Sequence, residues 1–270
     1  MTQRPSWAPD EVDIERPAPA RMYDYYLGGS HNFAADRELA EQAMAVWPDS
    51  PHIARANRAF LRRAVAFAVE QGVSQFLDLG AGIPTVGNTH EVAARLAPQA
   101  RTVYVDNDLV AVAHSRSLLD GVANTMVVHA DLRDADFVLE QARGLLDFSQ
   151  PVAVLTFAVL HFVPDEDDPA AVVDAYRRAT VPGSLLALTH ATDDFQPERL
   201  RDMENVYRSA SAGLTGRSHA QITALLPGYE LVPPGLVCMI HWRPDPDAGP
   251  DPLDGDVSRY SAYAAVAVRK

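Results

Sequence analysis

Residues 76–85 read Phe76, Leu77, Asp78, Leu79, Gly80, Ala81, Gly82, Ile83, Pro84, Thr85, and they restrict the fold more than any other stretch. An apolar run of strand type enters a Gly-x-Gly turn, and a helical pattern follows. Gly80 and Gly82 lack a Cβ, so the chain can turn sharply and a ligand can approach its backbone. The start of the next helix offers unpaired N–H groups and a partial positive charge. A unit of this kind predicts a nucleotide-type cofactor site at the first βα crossing of an open α/β sheet.

The surrounding pattern agrees. Strands are expected at 75–79, 102–106, 125–130, 151–157 and 184–190, alternating with helices at 89–96, 109–119, 137–146 and 169–180. This order predicts a parallel sheet with helices on both faces. Upstream, residues 1–20 read as an extended arm, because Pro5, Pro9, Pro17 and Pro19 break any helix. A short helix should stop at Gly28, a second should span 34–46, and a third should span 52–71. Ile53, Ala56, Phe60, Ala64, Phe67 and Ala68 recur along the third at helical spacing. Downstream, 197–212 and 218–226 look helical, and 235–242 and 262–269 look like an antiparallel strand pair. The linker 243–258, rich in proline and aspartate, reads as an exposed, mobile loop; its aspartates do not match a Ca²⁺ loop. The expected division is an arm over 1–20, a helical cap over 21–72, and a cofactor-binding domain over 73–270 with a helical insertion near 195–228.

Charge narrows the function. Lys and Arg number 23 against 36 Asp and Glu, a net charge of −13. An acidic chain lacks the basic face that holds nucleic acid or an anionic membrane. Cys238 is the one cysteine, which excludes an intrachain disulfide and a cysteine-rich metal site and suits the cytoplasm. No metal is expected. The first 20 residues contain no apolar run of the export type, and the longest apolar stretch, 151–160, is too short to span a bilayer.

The chemistry-bearing positions fall at the carboxyl ends of the predicted strands. Asp106 ends the second, 26 positions after Gly80. A carboxylate there can accept both hydroxyls of a ribose, as in dinucleotide folds, or it can cap the next helix, as Asn107 and Asp108 could equally. Asp131 follows the third strand and can meet an adenine edge, or cap in its turn. Dinucleotide binders place a third glycine where Thr85 stands, and Pro84 removes an amide that a pyrophosphate would use. Proline also fits a helix start. These departures lean away from NAD(P) and an oxidoreductase, and towards S-adenosylmethionine, which carries no phosphate.

Residues 76–82, Asp106, Asp131-Leu132 and 160–165 resemble the successive motifs of class I S-adenosylmethionine-dependent methyltransferases. More narrowly, 21–29 (Arg-Met-Tyr-Asp-Tyr-Tyr-Leu-Gly-Gly), 32–37 and 82–90 resemble the actinobacterial S-adenosyl methyltransferase family formerly catalogued as a domain of unknown function. The resemblance implies a Rossmann-like α/β fold: a mostly parallel seven-stranded sheet with an antiparallel C-terminal strand, helices on both faces and an N-terminal helical extension. It implies S-adenosyl-L-methionine as cofactor and methyl transfer to an acceptor, expected to be a small molecule. A cofactor-binding accessory protein without turnover is the alternative outside enzymology.

Residue by residue, the resemblance implies that the backbone of Gly80, Ala81 and Gly82 faces the methionine part and that Asp78 steadies the turn. Asp106 takes the ribose hydroxyls, with Asn107 near the adenine, and Asp131 and the Leu132 amide meet the adenine edge. Phe157 and Ala158 flank the sulfonium, and the segment from Tyr23 to Asn32 folds over the cofactor. A base is needed only if the acceptor must lose a proton. His161 is the first candidate, ahead of His190 and His241, because histidine titrates near neutral pH.

Overall fold

In the computed structural model the described residues are 5, 7–84, 87–247 and 249–270. The N-terminal region forms α1 (Pro19–Tyr26), α2 (Ala34–Val46) and α3 (Ser50–Glu70). Strands and helices then alternate: β1 (Gln75–Leu79), α4 (Thr89–Leu96), β2 (Arg101–Asp106), α5 (Leu109–Leu118), β3 (Thr125–His129), α6 (Ala135–Ala142), β4 (Ala153–Phe157), α7 (Pro169–Ala179) and β5 (Leu185–Ala191). The chain closes with α8 (Pro197–Tyr207), α9 (His219–Ala224), β6 (Tyr229–Leu231), β7 (Val237–Cys238), α10 (Val257–Tyr260) and β8 (Ala262–Arg269).

The strand order is β3-β2-β1-β4-β5-β8-β6, with β7 also on β8. β1 to β5 pair in parallel, while β8 runs antiparallel to β5, β6 and β7. The order reverses at β1, which has β2 on one side and β4 on the other. Ligands of open α/β sheets bind at such a point, outside the carboxyl ends of the strands.

Alternation along the strands builds two cores. Phe76, Ala153 and Leu155 pack with Phe60, Ala64, Val92 and Ala93 of α3 and α4. Leu77, Leu79, Val103 and Val154 pack with Val138, Val172 and Ile222 of α6, α7 and α9 on the other face. β1 is buried along all five residues, as a central parallel strand must be. A third cluster, with Met22, Leu39, Ala40, Met203 and Tyr207, joins α1, α2 and α8 into a cap beside the sheet edge.

Several elements differ from the pattern-based reading. Among the described residues the sheet has eight strands, the unexpected one being the three-residue β6. The expected strand at 235–242 contracts to β7 because the chain turns at Cys238, whose carbonyl accepts the His241 N–H at 2.8 Å. Met239 and Trp242 instead enter the core beneath α3, with the Trp242 ring 5.4 Å from that of Phe60. β6, three residues ahead of Val232 and Pro233, is too short to register as a pattern. α6 begins two residues early because the Asp134 carboxylate caps it at Phe137 N. α8 ends at Tyr207, five residues early, and 208–212 continue as turns. Pro84 does not start a helix. Glu91 accepts the N–H groups of Gly87 and Asn88 at 2.7 and 2.8 Å, which fixes the start of α4 at Thr89. Thr85, on which the missing-glycine argument rests, lies outside the described residues. Within 243–258, Leu253 is buried and Asp251 accepts the Tyr260 hydroxyl, so that stretch is anchored to the core at its centre.

Candidate active site

One cavity of about 770 Å³ runs along the carboxyl ends of β1, β2, β4 and β5 and under the N-terminal cap. Gly80 begins its floor. Its N–H donates to Val105 O at 2.8 Å, and its φ is +68°. A Cβ there would lie 2.2 Å from Val159 Cγ2, so the turn demands glycine both for conformation and for space. Asp78, buried within β1, accepts the Thr89 hydroxyl at 2.7 Å and so ties the strand to the start of α4. Burial pushes its carboxyl up to about 6.

Asp106 sits opposite. Its Oδ2 accepts Gly82 N–H at 2.7 Å and its Oδ1 accepts Asp108 N–H at 2.8 Å. Burial pushes this carboxyl up to about 6 as well, against the pull of those two N–H groups. The cap of α5 is Asp108, which accepts from Val110 N and Ala111 N, so Asp106 is not engaged in capping. The same holds one crossing later, where Asp134 caps α6 and Asp131 does not. Asp131 pairs with Arg133, which holds its carboxyl below the usual range and also reaches Asp167. Asp131 therefore does not stand free, as an isolated acid would; a guanidinium fixes its orientation. The Leu132 N–H donates to nothing among the described residues, while its carbonyl accepts the Tyr176 hydroxyl. Asn107, Asp131, Leu132, Phe157 and Ala158 all line the cavity, with Asp78, Gly80, Ala81, Gly82 and Asp106.

Ala158 adopts φ +52°, a left-handed conformation costly for a residue with a Cβ. Its N–H donates to Thr189 Oγ1 at 2.8 Å. From there a chain of hydrogen bonds crosses to the cap. Thr189 Oγ1 donates to Asn57 Oδ1 at 2.7 Å, Asn57 Nδ2 donates to the Tyr23 hydroxyl at 2.8 Å, and Tyr23 donates to Ala54 O at 3.0 Å. Tyr23 lines the cavity and Asn32 does not. The Asn32 amide donates to Asp24 and to Gly29 O, and its Oδ1 accepts from Arg37. Of the segment expected to fold over a ligand, Tyr23 and Tyr26 thus line the cavity, while Asp24, Gly29 and Asn32 form a polar knot behind its wall. Asp24 fills the space a Gly29 Cβ would need, 2.0 Å away, and Asp36 accepts from Arg21, Ala18 N and Phe33 N.

The far end of the cavity is apolar and aromatic. Tyr26, Trp47, Phe162, Leu200, Met203 and Tyr207 line it. The hydroxyls of Tyr26 and Tyr207 lie 3.2 Å apart, and burial raises both, Tyr207 to about 12.

The histidines separate. His190 is buried, with Nδ1 2.7 Å from Ala191 O and Nε2 2.9 Å from the Arg217 guanidinium. Arginine only donates, so Nδ1 carries the proton and both ring nitrogens are engaged. Burial pushes His190 down to about 4. His161 lines the cavity, and its Nδ1 accepts Ala191 N–H at 3.4 Å, which leaves the proton on Nε2. Burial first, then His190 and Arg217, hold it well below its ordinary value. His241 is exposed and away from the cavity. Arg217, which no periodicity marks, is 2% exposed and donates to Leu160 O, Val163 O, Asp165 and His190. Asn57 did leave a signal, as a polar residue within the apolar stripe of α3. Among the described residues no cluster of three or more His, Cys, Asp or Glu could hold a metal ion, and no helix is long and apolar enough to cross a membrane.

The sequence model of the S-adenosyl methyltransferase family matches residues 5–270. A DUF574-family protein from Streptomyces avermitilis is 38% identical, over 96% of this chain and 99% of its own, with a TM-score of 0.90. A candidate methyltransferase from Thermobifida fusca is 39% identical, over 98% of this chain and 100% of its own, also with a TM-score of 0.90. The N-methyltransferase NodS from Bradyrhizobium japonicum, solved with S-adenosyl-L-homocysteine, shares 14% identity over 92% of this chain and 98% of its own, with a TM-score of 0.50. That likeness extends to the fold alone. A comparison with curated proteins finds no match.

Proposed function

The chain belongs to the S-adenosyl methyltransferase family, and from that premise we propose that it moves a methyl group from S-adenosyl-L-methionine to a small, largely uncharged acceptor. The carrying observation is the single cavity that joins the glycine turn at one end to the aromatic wall at the other. The cofactor supplies an electrophilic methyl group when bound, and the chain's own residues bind, orient and exclude water.

The residues fit that cofactor. The two oxygens of Asp106 accept one backbone N–H each, and a carboxylate has further lone pairs for two ribose hydroxyls. Asp131, held by Arg133, and the Leu132 N–H offer an acceptor and a donor to an adenine edge, with Asn107 beside them. The Gly80–Gly82 backbone lets the amino-acid tail pass closely, and Phe157 and Ala158 flank the reacting centre. Tyr23 closes the wall, and Asn32 acts behind it by holding Asp24 and Gly29. His161 presents Nε2–H to the cavity and thus orients an acceptor as a hydrogen-bond donor. In this reading the acceptor brings a nucleophile that is ready to react, such as a neutral amine or an ionised oxygen. The nicotinamide alternative raised by the glycine turn loses its basis with the family match.

The test uses methyl-labelled S-adenosylmethionine and a fractionated actinobacterial extract. Label entering the small-molecule fraction supports the proposal. Label entering protein or nucleic acid refutes a small acceptor. Binding of S-adenosylhomocysteine without transfer to any fraction supports an accessory protein instead.

A further inference from the structure

We propose that the paired hydroxyls of Tyr26 and Tyr207 select the methyl acceptor, and that this acceptor is a planar aromatic molecule carrying an uncharged oxygen able to accept a hydrogen bond. The inference rests on the methyltransferase reading above and deepens it, by naming a class of acceptor and the two residues that recognise it.

Tyr26 ends α1 and Tyr207 ends α8, and the apolar cluster between these helices brings their hydroxyls to 3.2 Å. Both residues line the cavity, at 7% and 6% exposure. A phenol hydroxyl carries one proton and also accepts through its lone pairs. Two hydroxyls in contact hold two protons, and the bond between them uses one. Whichever tyrosine donates, the other keeps a proton that goes to no group among the described residues. A buried donor without an acceptor is costly, and a ligand oxygen relieves that cost. The bond within the pair also polarises the free hydroxyl and makes it a better donor. Burial raises both phenols above their ordinary value, so at neutral pH each keeps its proton and the pair donates; it does not act as a base.

The surroundings set the rest of the ligand. The Phe162 ring lies 5.7 Å from that of Tyr207 and 4.5 Å from that of His161, so one aromatic wall runs from the paired hydroxyls to the histidine. Trp47 spends its single N–H on Arg259 O at 2.9 Å, and Leu200 and Met203 bring no donor. The wall residues carry no charge at neutral pH, so a charged acceptor would be desolvated there without a counter-charge. An aromatic ring gains from each ring it meets in offset or edge-on contact, beyond the area it buries. A planar ring with a ketone or aryl ether oxygen meets both conditions: the ring packs on the wall, and the oxygen takes the free proton. A saturated chain without such an oxygen meets neither.

The probes are acetophenone, ethylbenzene, in which a methylene replaces the carbonyl, and cyclohexyl methyl ketone, in which a saturated ring replaces the aromatic one. NMR titration of protein saturated with S-adenosylhomocysteine gives their dissociation constants for wild type and for the double variant Tyr26→Phe, Tyr207→Phe. Replacing both phenols keeps the packing and strands no partner, so the variant should fold and bind S-adenosylhomocysteine within about twofold of wild type. The double variant should weaken acetophenone about 3- to 10-fold, the range for one neutral hydrogen bond, and ethylbenzene by less than about twofold. Cyclohexyl methyl ketone should bind wild type about 3- to 10-fold more weakly than acetophenone. A second measurement needs no variant: with tyrosine labelled at Cζ, acetophenone should shift the Tyr26 or Tyr207 resonance more than ethylbenzene does. No acetophenone binding to wild type, equal loss of both aromatic probes, or equal Cζ shifts overturns the hydroxyl assignment, and a saturated ketone that binds as tightly as acetophenone overturns the aromatic class. If wild type does not bind S-adenosylhomocysteine, the cofactor reading itself fails, an outcome read before any probe is added.

Discussion

Acidification should weaken cofactor binding, and Asp106 is the group that titrates. Burial lifts its carboxyl from 3.8 to about 6 in the free protein. Two ribose hydroxyls donating to this carboxylate favour its ionised form, so the bound state holds the proton less tightly than the free state. The free protein then binds a proton that the complex releases, and affinity rises with pH until about 6 and levels above it. Between about pH 7.5 and about pH 5 the protonated fraction of Asp106 climbs from a few per cent to roughly nine-tenths, so affinity should fall about tenfold, or ~1.4 kcal/mol. Asp78 is also pushed up to about 6, and an ammonium facing it would steepen the fall. Calorimetric titration with S-adenosylhomocysteine across this range measures the slope. Near pH 6, two buffers of different ionisation heat should report release of roughly half a proton or more. Asp106→Asn should bind more weakly at neutral pH and lose most of the slope. A dissociation constant that is flat or falls towards pH 5, or proton uptake on binding, would refute the assignment of Asp106 to the ribose.

Three further outcomes follow from the geometry. Gly80→Ala places a Cβ 2.2 Å from Val159 Cγ2 at φ +68°, so it should lower stability by about 1–3 kcal/mol and abolish S-adenosylhomocysteine binding; adding Val159→Ala should recover part of the stability in urea unfolding, and no recovery would show that the contact is not the cause. Arg217→Met leaves two carbonyls and His190 without their donor, so it should cost about 3–5 kcal/mol in denaturant unfolding, and a loss under about 1 kcal/mol would contradict the clamp. Nitrogen-15 NMR should find His161 neutral, with the proton on Nε2, from neutral pH to below its ordinary value, because burial and the neighbouring His190 and Arg217 disfavour the cation; titration near 6.5 would restore it as a candidate base.

The parallel half of the fold is legible because its strands are apolar runs, the first three of them ending in a glycine or an acid, features set by neighbours close in sequence. Asp106 and Asp131 could be named as candidates, yet the sequence could not separate a cap from a ligand-facing carboxylate. That needed the hydrogen bonds of Asp108 and Asp134, which do the capping instead. The antiparallel end was read less well. Trp242 looked like a strand residue by its chemistry, and tertiary packing under Phe60 and Phe67 overrode that preference. Asn32 is hard to place from sequence for a related reason. A polar residue after a glycine pair suits a ligand contact and a buried knot equally, and only the position of Asp24 decides between them. Arg217 was invisible because its partners come from residues 160–165 and 190, far off in sequence.

The long N-terminal motif gains a physical reason from this arrangement. Its charged residues do not reach the cavity as a set. Arg21, Asp24, Asn32 and Asp36 bond to one another and to backbone, which fixes the pitch of α1. That pitch presents Tyr23 to Asn57 and Tyr26 to Tyr207. Tyr23 is bonded through Asn57 and Thr189 to the N–H of Ala158, at the end of β4. A shift of α1 would therefore move the aromatic wall and the backbone at the end of β4 together. Under the proposed function the cap would shape the acceptor space and register it against the sheet edge, which a loosely tethered lid could not do. Replacing Asn57 with Leu would break that link while keeping an apolar filling. It should leave methylthioadenosine binding at the nucleoside end within about twofold, and raise hydrogen exchange at Ala158 by about the factor expected for one lost hydrogen bond, on the order of tenfold. Unchanged protection at Ala158 would show that the two parts are held independently.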